Sequence, residues 1–358
     1  METKEVIFMN KGEGESSYLQ NSGISPFLSE KSKRALERAV ESILEENSVP
    51  LQVLSVADLG CATSLSTFSV MATAIDTTKK MQVVAPPEFQ FLLNDLPGND
   101  FDTLTRGLSR FLNGEKCKGV SCFAMVSPGS FYGRLFPRNT LHLFYSCYSV
   151  CFLSKVPRLR DEAGLALNKG KIYISKKSPG AVREAYLCQY QQDLSLFLKS
   201  RSEEMVANGG RVVLILPGRE SADPTSEDVC YHWEILAEAI ASIVDDADKL
   251  DSFDVPYYVP SIEEIKQVVD KEGSFELEMI EISATDGGGL ENISVKELTN
   301  SIRCFTESMI SHHFGMNIVD KLYDKVTHLL IRDLATQAVP TKLISFIVVL
   351  KRKMVNYK

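Results

Sequence analysis

The feature that most constrains this chain is an alternation between short apolar runs and longer runs with helical spacing. The short runs are rich in β-branched residues and are bounded by Gly or Pro, which is typical of buried strands; residues 53–59 and 211–216 are examples. The longer runs place apolar side chains on one helical face, as in residues 29–46. Strands interleaved with helices predict an α/β fold with a mostly parallel sheet.

Local signals place the individual elements. Ser261 is followed three residues later by Glu264, which is a capping-box pattern at the start of a helix. Residues 284–299 contain three successive glycines and few large apolar side chains, so we predict a mobile loop there. The predicted strands are residues 53–59, 89–94, 141–145, 211–216, 275–283 and 343–350, with a short extended stretch at 170–175; the predicted helices are residues 29–46, 184–206, 227–244, 261–271 and most of 296–335.

Composition and charge argue against several classes of protein. Apolar residues make up 44% of the 358-residue chain, too much for a disordered polypeptide. The formal net charge of −8 argues against nucleic acid as a partner, because phosphate binding needs a basic surface. The longest apolar run, near residues 343–350, is too short to span a bilayer, and we see no signal peptide. Eight scattered cysteines without a CxxC pair predict a reduced, cytoplasmic protein with neither a zinc site nor a disulfide framework.

Polar residues follow the first two predicted strands, where an open α/β sheet binds its ligand. Gly60 ends the first strand, but neither GxGxxG nor a phosphate-binding loop is present, which disfavours a dinucleotide or nucleotide phosphate. Asp95 ends the second strand, and an acid there can accept hydrogen bonds from both ribose hydroxyls. The alternative is a turn stabilised by Asn94 and Asp95. A nucleoside without a pyrophosphate, such as S-adenosylmethionine, fits the functional interpretation.

Longer motifs distinguish between these interpretations. Residues 9–18 read MNKGEGESSY, 57–61 read ADLGC and 93–100 read LNDLPGND. With PGSFYGRLFP at 128–137 and NKGKIYIS at 168–175, they resemble the plant SABATH methyltransferases nearly end to end. SADPTSEDVCYHWE at 221–234 and FGMNIVDKLYDKVTH at 314–328 are most similar to the caffeine-synthase and theobromine-synthase branch.

The resemblance implies an architecture and partners. It predicts one unit over residues 1–358, a Rossmann-like methyltransferase domain with a helical cap over the acceptor pocket. The cofactor-binding core would comprise about 30–220 and 336–358, and the cap mainly 221–335, with residues 1–29 closing the site. It also implies S-adenosylmethionine as cofactor, S-adenosylhomocysteine as product, a small-molecule acceptor, a homodimer and, as in some members, magnesium.

The same resemblance implies roles for single residues. Tyr18 would lie near the sulfonium, Asp95 would hold the ribose, and Phe131 would cover the adenine with its ring. The implied cofactor-binding residues are Tyr18, Asp58, Gly60, Cys61, Ser66, Asp95, Leu96, Ser130, Phe131 and Cys147. The implied acceptor-binding residues are Tyr18, Ser25, Tyr148, Cys151, Phe152, Trp233, Tyr258 and Met309, and the magnesium site would map to Asn168, Asp251, Phe253 and Asp254.

Several of these residues have an alternative interpretation as packing residues. Phe131, Trp233 and Tyr258 also fit a role as core aromatics, because large rings are usually buried. Buried cysteines are more often inert than reactive, which applies to Cys61 and Cys147. Neighbouring helical residues face different ways, so we expect at most one of His232 and Trp233 to point fully into the pocket. The remaining histidines show no ligand spacing.

Three departures from the family pattern bear on the acceptor. Residues 64–66 are Ser-Leu-Ser where many members have Gly-Pro-Asn, and Ser25 and Pro26 occupy a region where carboxylate-methylating members often have glutamine. Cys151 and Phe152 replace a His-Trp pair whose ring N–H groups hold the acceptor. Losing such a hydrogen bond to a charged acceptor costs roughly 1.5–3 kcal/mol. The acceptor is therefore expected to differ from salicylate and from ordinary xanthines.

These departures lead to an expected reaction. A carboxylate acceptor is ionised at neutral pH and needs no general base, and the sequence has no visible catalytic triad or carboxylate dyad. The sequence therefore favours transfer of a methyl group to the carboxylate of a small acid, such as an alkaloid-type or keto acid. The alternatives are N-methylation of a xanthine or related heterocycle and, more remotely, a non-catalytic binding protein.

Overall fold

The computed structural model describes residues 3–22, 25–47, 50–63, 65–83, 85–285, 294–340 and 343–354. A seven-stranded sheet forms its centre, in the order β3-β2-β1-β4-β5-β7-β6. Strands β1 to β5 are parallel, and β7 runs antiparallel to both β5 and β6. The strands are β1 Val53–Leu59, β2 Glu88–Asp95, β3 Cys122–Pro128, β4 Leu143–Cys147, β5 Arg211–Pro217, β6 Phe275–Thr285 and β7 Leu343–Arg352.

Helices cover both faces of the sheet. Along β5, Val212, Leu214 and Leu216 lie in one hydrophobic core, while Val213 and Ile215 lie in a second core on the opposite face. Alternate residues of a strand point to opposite faces, so this split requires cover on both sides. The helices are α1 Tyr18–Asn21, α2 Ser25–Glu46, α3 Leu65–Lys80, α4 Phe101–Leu112, α5 Gly180–Glu204, α6 Glu227–Ala241, α7 Ala247–Asp251, α8 Ile262–Glu272, α9 Val295–Phe314 and α10 Val319–Ala335.

The two cores contain different sets of helices. Helices α2, α3 and α4 pack on the second core, together with alternate side chains of β1 and β2. The first core is larger, and it contains buried residues of α5, α6, α8, α9 and α10. Helix α10 packs against α6 and α9, and α1 packs against α9. These helices and the N-terminal segment lie where the resemblance predicts a cap; the division into core and cap stays a prediction.

Most predicted elements are confirmed. The α/β fold with a mostly parallel sheet is confirmed, the bounds of β1 agree, and Ser261 and Glu264 form the predicted capping box of α8. The extended stretch at residues 170–175 is not a strand but an irregular segment. Strand β3 and helices α3 and α4 were not predicted. Strand β3 lies at the sheet edge with Phe123 and Met125 exposed, although residues 122–126 form an apolar run in the sequence.

Two expectations fall partly or wholly outside what can be described. The predicted glycine loop includes residues 286–293, which lie outside the described residues. Ser64 also lies outside them.

In the described part of the chain, no helix is both long and apolar enough to cross a membrane.

Candidate active site

The loop after β1 approaches the loop after β2 through backbone hydrogen bonds. The N–H groups of Gly60 and Cys61 both donate to the Asn94 carbonyl oxygen, at 2.8 and 3.0 Å. Gly60 has a φ of 75°, and a Cβ atom there would lie 2.2 Å from the Ser149 Oγ atom. Only glycine fits this position, because a side chain would be strained in its backbone and would collide with Ser149.

Two carboxylates lie at this junction. Asp95 Oδ2 accepts the Ala62 N–H and Asp95 Oδ1 accepts the Leu96 N–H, both at 2.7 Å. Asp58 Oδ2 accepts a 2.8 Å hydrogen bond from the hydroxyl of Thr67. Burial raises the pKa of Asp95 to about 6; burial and the nearby Asp95 charge raise the pKa of Asp58 to about 7. Among the described residues neither acid forms an ion pair, and Asp95, which has the lower pKa of the two, carries most of the negative charge of the junction at pH 7.

An aromatic ring lies beside this junction. Cε1 of Phe131 lies 3.6 Å from the position of a Cβ atom on Gly60, so the ring lies against the glycine backbone. The buried guanidinium of Arg201 fixes the loop that carries this ring, donating to the carbonyl oxygens of Phe131 and Gly133 at 2.8 Å. Arg201 also pairs with the buried Glu204 at 2.7 Å. The ring is therefore held by a buried ion pair about 70 residues further along the chain.

The N-terminal segment covers the same region. The Tyr18 N–H donates to the Asn10 carbonyl oxygen, and the Asn10 N–H donates to the Cys304 carbonyl oxygen on α9. Burial, followed by the nearby Cys304, Cys147 and Asp95 side chains, raises the pKa of Tyr18 far above its usual value. The Tyr18 hydroxyl is therefore neutral, and its neighbours include Asp95 of the carboxylate junction and Cys147 at the end of β4.

A second group of rings, which we call the aromatic cluster, consists of Phe152, His232, Trp233, Tyr257 and Phe305. The ring centroids of Phe152 and Tyr257 are 5.3 Å apart, and those of Trp233 and Tyr257 are 5.2 Å apart. Phe305 lies 6.0 Å from Trp233 and 6.2 Å from His232. They come from four segments: the turn after β4, helix α6, the stretch between α7 and α8, and helix α9. Only tertiary packing brings these rings together.

Two nitrogen atoms of the aromatic cluster are buried without a hydrogen-bond partner among the described residues: Nε2 of His232 and Nε1 of Trp233. Burial lowers the pKa of His232 to about 4, so the ring is neutral at pH 7. We expected at most one of these two rings to point fully into the acceptor pocket; both rings contact Tyr257 and Phe305, and the expectation about the pocket stays a prediction. Neighbouring helix residues can share a cluster here because Tyr257 and Phe305 come from different elements beside α6.

The structure places Tyr258 away from the aromatic cluster. Its ring packs 4.9 Å from Tyr190, and its hydroxyl accepts from Arg219 at 3.2 Å and donates to Glu264 at 3.1 Å. Its neighbour Tyr257 lies in the cluster instead. The sequence reads Tyr-Tyr at these positions, and no local signal distinguishes which ring faces the acceptor side.

The remaining predicted residues lie around the two regions. Tyr148 has a φ of 54°, and its hydroxyl is hydrogen-bonded to Ser345 of β7. The Cys151 thiol donates to the Tyr148 carbonyl oxygen at 3.1 Å and contacts the Tyr257 hydroxyl. Met309 is buried in α9. The other positions are Cys147 at the end of β4, Ser66 in the first turn of α3, Ser130 beside Phe131, Leu96 beside Asp95, and Ser25 at the start of α2, whose side chain lies outside the description.

The predicted magnesium residues are near one another but offer few oxygen atoms as metal ligands. Asp254 Oδ1 lies 3.4 Å from the Asn168 amide nitrogen, and Asp251 Oδ1 accepts the Gly170 N–H at 2.7 Å. Burial, opposed by the Asn168 hydrogen bond, raises the pKa of Asp254 to about 7. The Phe253 ring packs against aromatic neighbours, and the amide oxygen of Asn168 already accepts from a serine. Among the described residues no group of three acids, histidines or cysteines could hold a metal. Magnesium stays a prediction.

Comparison with known proteins agrees with this geometry. The profile of the family described as SAM dependent carboxyl methyltransferase matches residues 4–353. A probable 7-methylxanthine methyltransferase of Theobroma cacao is 50% identical over 361 residues, 98% of each chain. A probable caffeine synthase of Camellia sinensis is 49% identical, over 93% of this chain and 95% of its own. The chain belongs to this methyltransferase family.

A solved structure supports the fold and the cofactor. The structure of a loganic acid methyltransferase with S-adenosylhomocysteine superposes with a TM-score of 0.85. It is 29% identical to this chain, over 98% of this chain and 99% of the other. The methyltransferase therefore uses S-adenosylmethionine as its methyl donor.

Four functional candidates were missed by sequence reasoning. Tyr257 and Phe305 are unremarkable aromatics in their local sequence, and Arg201 and Glu204 look like exposed charges at the end of a long helix. The pair Arg201 and Glu204 is three residues apart, one turn of helix, which is the only local signal for an ion pair. Their burial could not be predicted from that spacing.

Proposed function

We propose that this methyltransferase transfers the methyl group to a ring nitrogen of a xanthine-type heterocycle. The observation that carries the proposal is near-full-length identity of 49–50% with relatives described as probable 7-methylxanthine methyltransferases. The departure at Cys151 and Phe152 favoured a carboxylate acceptor in the sequence analysis. The relatives favour the alternative, and the aromatic cluster supports it.

The aromatic cluster suits a planar and uncharged acceptor. It presents the rings of Phe152, Trp233, Tyr257 and Phe305, with inter-ring distances of 5.2 to 6.5 Å. None of these side chains carries a charge at neutral pH, and burial keeps His232 neutral as well. A carboxylate enclosed there would lose its hydration without an opposite charge in the cluster, which is unfavourable. A purine keeps its flat faces against rings of this kind at little cost.

The chain's own residues position the reactants. The bound cofactor supplies the electrophilic methyl group and the leaving group. Asp58 and Asp95 place negative charge at the junction of the strand ends, which favours a cationic cofactor. Tyr18 has both Asp95 of that junction and Cys151 among its neighbours, which supports a role for the N-terminal segment in enclosing the place where donor and acceptor meet. Methylation replaces the proton of a ring N–H of the acceptor, and that proton passes to solvent. The chain's residues contribute the orientation of the reactants, for which effective molarity supplies the main term.

The test is a transfer assay with labelled S-adenosylmethionine and two acceptor panels, one of xanthines and one of small carboxylic acids including loganic acid. We expect label in a base-stable product from 7-methylxanthine. A base-labile product from an acid, with no transfer to xanthines, would contradict the proposal and restore the carboxylate interpretation. The Asp102→Asn variant, which changes an exposed acid on α4, is the control for preparation and handling.

A further inference from the structure

The two unpartnered nitrogens of the aromatic cluster are unusual for a folded protein. Buried polar groups almost always have a hydrogen-bond partner, since leaving one unpaired is costly. Trp233 is 1% exposed and its Nε1 is buried; the buried Nε2 of His232 lies on the next residue of α6. The two ring centroids are 4.5 Å apart. A polar pair left open inside an apolar cluster indicates a place prepared for a ligand.

The side chains of the cluster itself add few further polar groups, and beside it the Tyr173 hydroxyl, whose ring lies 5.8 Å from Trp233, is also buried without a partner among the described residues. Phe152 and Phe305 carry no polar atoms, and the Tyr257 hydroxyl already contacts the Cys151 thiol. The indole nitrogen can only donate a hydrogen bond, whereas a neutral imidazole nitrogen either donates or accepts according to its tautomer. A complementary ligand edge carries a carbonyl oxygen for the indole and, beside it, a ring N–H whose hydrogen bond the imidazole nitrogen accepts.

We propose that His232 is a specificity-determining residue, whose Nε2 hydrogen-bonds the amide-type edge of the acceptor while the Trp233 N–H donates to the adjacent carbonyl oxygen. This inference rests on the proposed function, since a xanthine carries ring carbonyls flanking ring N–H groups. It gives His232 a role that the sequence analysis did not assign. It also accounts for acceptor recognition in a chain whose turn after β4 has Cys151 and Phe152, neither of which is a strong donor.

The chain contains its own reporter for the test. Trp233 is the only tryptophan, so its fluorescence changes report directly on the aromatic cluster. The enzyme saturated with S-adenosylhomocysteine cannot turn over, and titration with 7-methylxanthine then gives a dissociation constant without any catalytic step. The same titration is repeated with caffeine, in which every ring N–H of xanthine is methylated.

We compare the wild type with His232→Phe, His232→Gln and Tyr231→Phe. Phe keeps a ring without nitrogen, and Gln restores a polar terminus. Tyr231, the preceding residue of α6, donates to Asp333 at 3.1 Å outside the cluster and serves as the matched control. We expect His232→Phe to weaken 7-methylxanthine binding about tenfold, the value of one good hydrogen bond, with partial recovery in His232→Gln. Tyr231→Phe, and the affinity of every variant for S-adenosylhomocysteine, should stay at the wild-type value.

Each outcome decides a question. Equal 7-methylxanthine affinity in the wild type and His232→Phe overturns the inference, as does an equal loss in Tyr231→Phe. If the wild type ignores xanthines but binds a carboxylic acid, the proposed function fails. The same variants titrated with that acid then decide whether His232 contacts the acceptor. A loss of caffeine binding in His232→Phe as large as the loss of 7-methylxanthine binding contradicts the assignment of an acceptor N–H to His232. No response to any acceptor overturns both proposals.

Discussion

At the scale of single residues, the cofactor region is defined by groups that tolerate little change. Gly60 has no room for a methyl group beside Ser149, and its φ of 75° is one that side-chain-bearing residues rarely adopt. Asp95 uses each carboxylate oxygen to hold a different loop and still has lone pairs for a ligand. Asp95 therefore both holds the two loops together and can accept a hydrogen bond from a ligand.

The first prediction concerns Asp95→Asn. The amide removes the negative charge and one acceptor, so S-adenosylhomocysteine should bind about 10- to 100-fold more weakly, in line with hydrogen bonds to charged groups. The wild-type affinity should also fall as the pH drops through about 6, where Asp95 takes up a proton. Equilibrium dialysis from pH 5 to 8 measures both effects.

In the Asp95→Asn variant, the affinity for S-adenosylhomocysteine should no longer fall near pH 6. Only the pH dependence caused by Asp58 should remain, since burial raises the pKa of Asp58 to about 7. The exposed Asp102→Asn should match the wild type throughout. An Asp95→Asn variant with wild-type affinity and pH dependence would remove Asp95 from the cofactor site.

At the scale of elements, a buried ion pair links α5 to the loop after β3. Arg201 and Glu204 have fully buried side chains and lie 2.7 Å apart. Glu204 Oε1 accepts the backbone N–H groups of Leu135 and Phe136, at 2.5 and 3.0 Å, and Arg201 holds the Phe131 carbonyl oxygen. The loop that carries the ring beside Gly60 therefore depends on α5, whose Phe197 ring also packs 5.8 Å from the Phe131 ring.

The second prediction compares neighbouring glutamates of α5. Glu204→Gln leaves a buried guanidinium without its counter-charge, which should lower the unfolding free energy by about 3–5 kcal/mol. Glu203 pairs with Arg134 and Arg138 at the surface, at 3.4 and 3.5 Å, so Glu203→Gln should cost about 0–1 kcal/mol.

Urea unfolding of both variants measures the difference. In addition, Glu204→Gln should raise the KM for S-adenosylmethionine more than the KM for the acceptor, because the loop beside Gly60 is loosened. Equal effects of the two glutamates on stability would show that the pair does not hold the loop.

At the scale of the whole molecule, the N-terminal segment connects two parts of the chain across the site. Asn10 binds α9 through the Cys304 carbonyl oxygen, and the Gly12 N–H donates to Asp100 Oδ2 at 2.8 Å. Asp100 is also the N-cap of α4, accepting the Thr103 N–H at 3.0 Å. Burial acts to raise the pKa of Asp100, but these hydrogen bonds outweigh it and lower the pKa. The segment is thus held to α9 at Asn10 and to the start of α4 at Gly12.

The third prediction uses Asp100→Asn to remove the hydrogen bond between the Gly12 N–H and Asp100. Asparagine keeps an oxygen for the α4 N-cap but offers an NH₂ group where Gly12 needs an acceptor. We expect faster release of S-adenosylhomocysteine, by several-fold, with little loss of thermal stability. Stopped-flow displacement and hydrogen exchange of residues 9–18 measure this. Unchanged exchange and unchanged release would show that the Gly12 contact does not control access.

The sequence alone determined the features that depend on local chemistry. Alternating apolar periods predicted the α/β fold, because strand and helix periodicity are set by backbone geometry over a few residues. Gly60 and Asp95 could be placed at strand ends for the same reason, and the capping box at Ser261 is a three-residue signal. The motifs at residues 57–61 and 93–100 carried the family resemblance, which the comparisons confirmed.

Only the tertiary structure decided which side chains meet. The aromatic cluster joins residues 152, 232, 233, 257 and 305, separated by up to 153 positions, and nothing local specifies such contacts. Tyr257 rather than Tyr258 belongs to the aromatic cluster, and His232 belongs to it together with Trp233. Both facts follow from the way α6, α9 and the segment after α7 pack together. The burial of Arg201 and Glu204 is likewise a property of the packed core. Burial makes the Arg201–Glu204 ion pair important for stability, because a charge removed from water requires a partner.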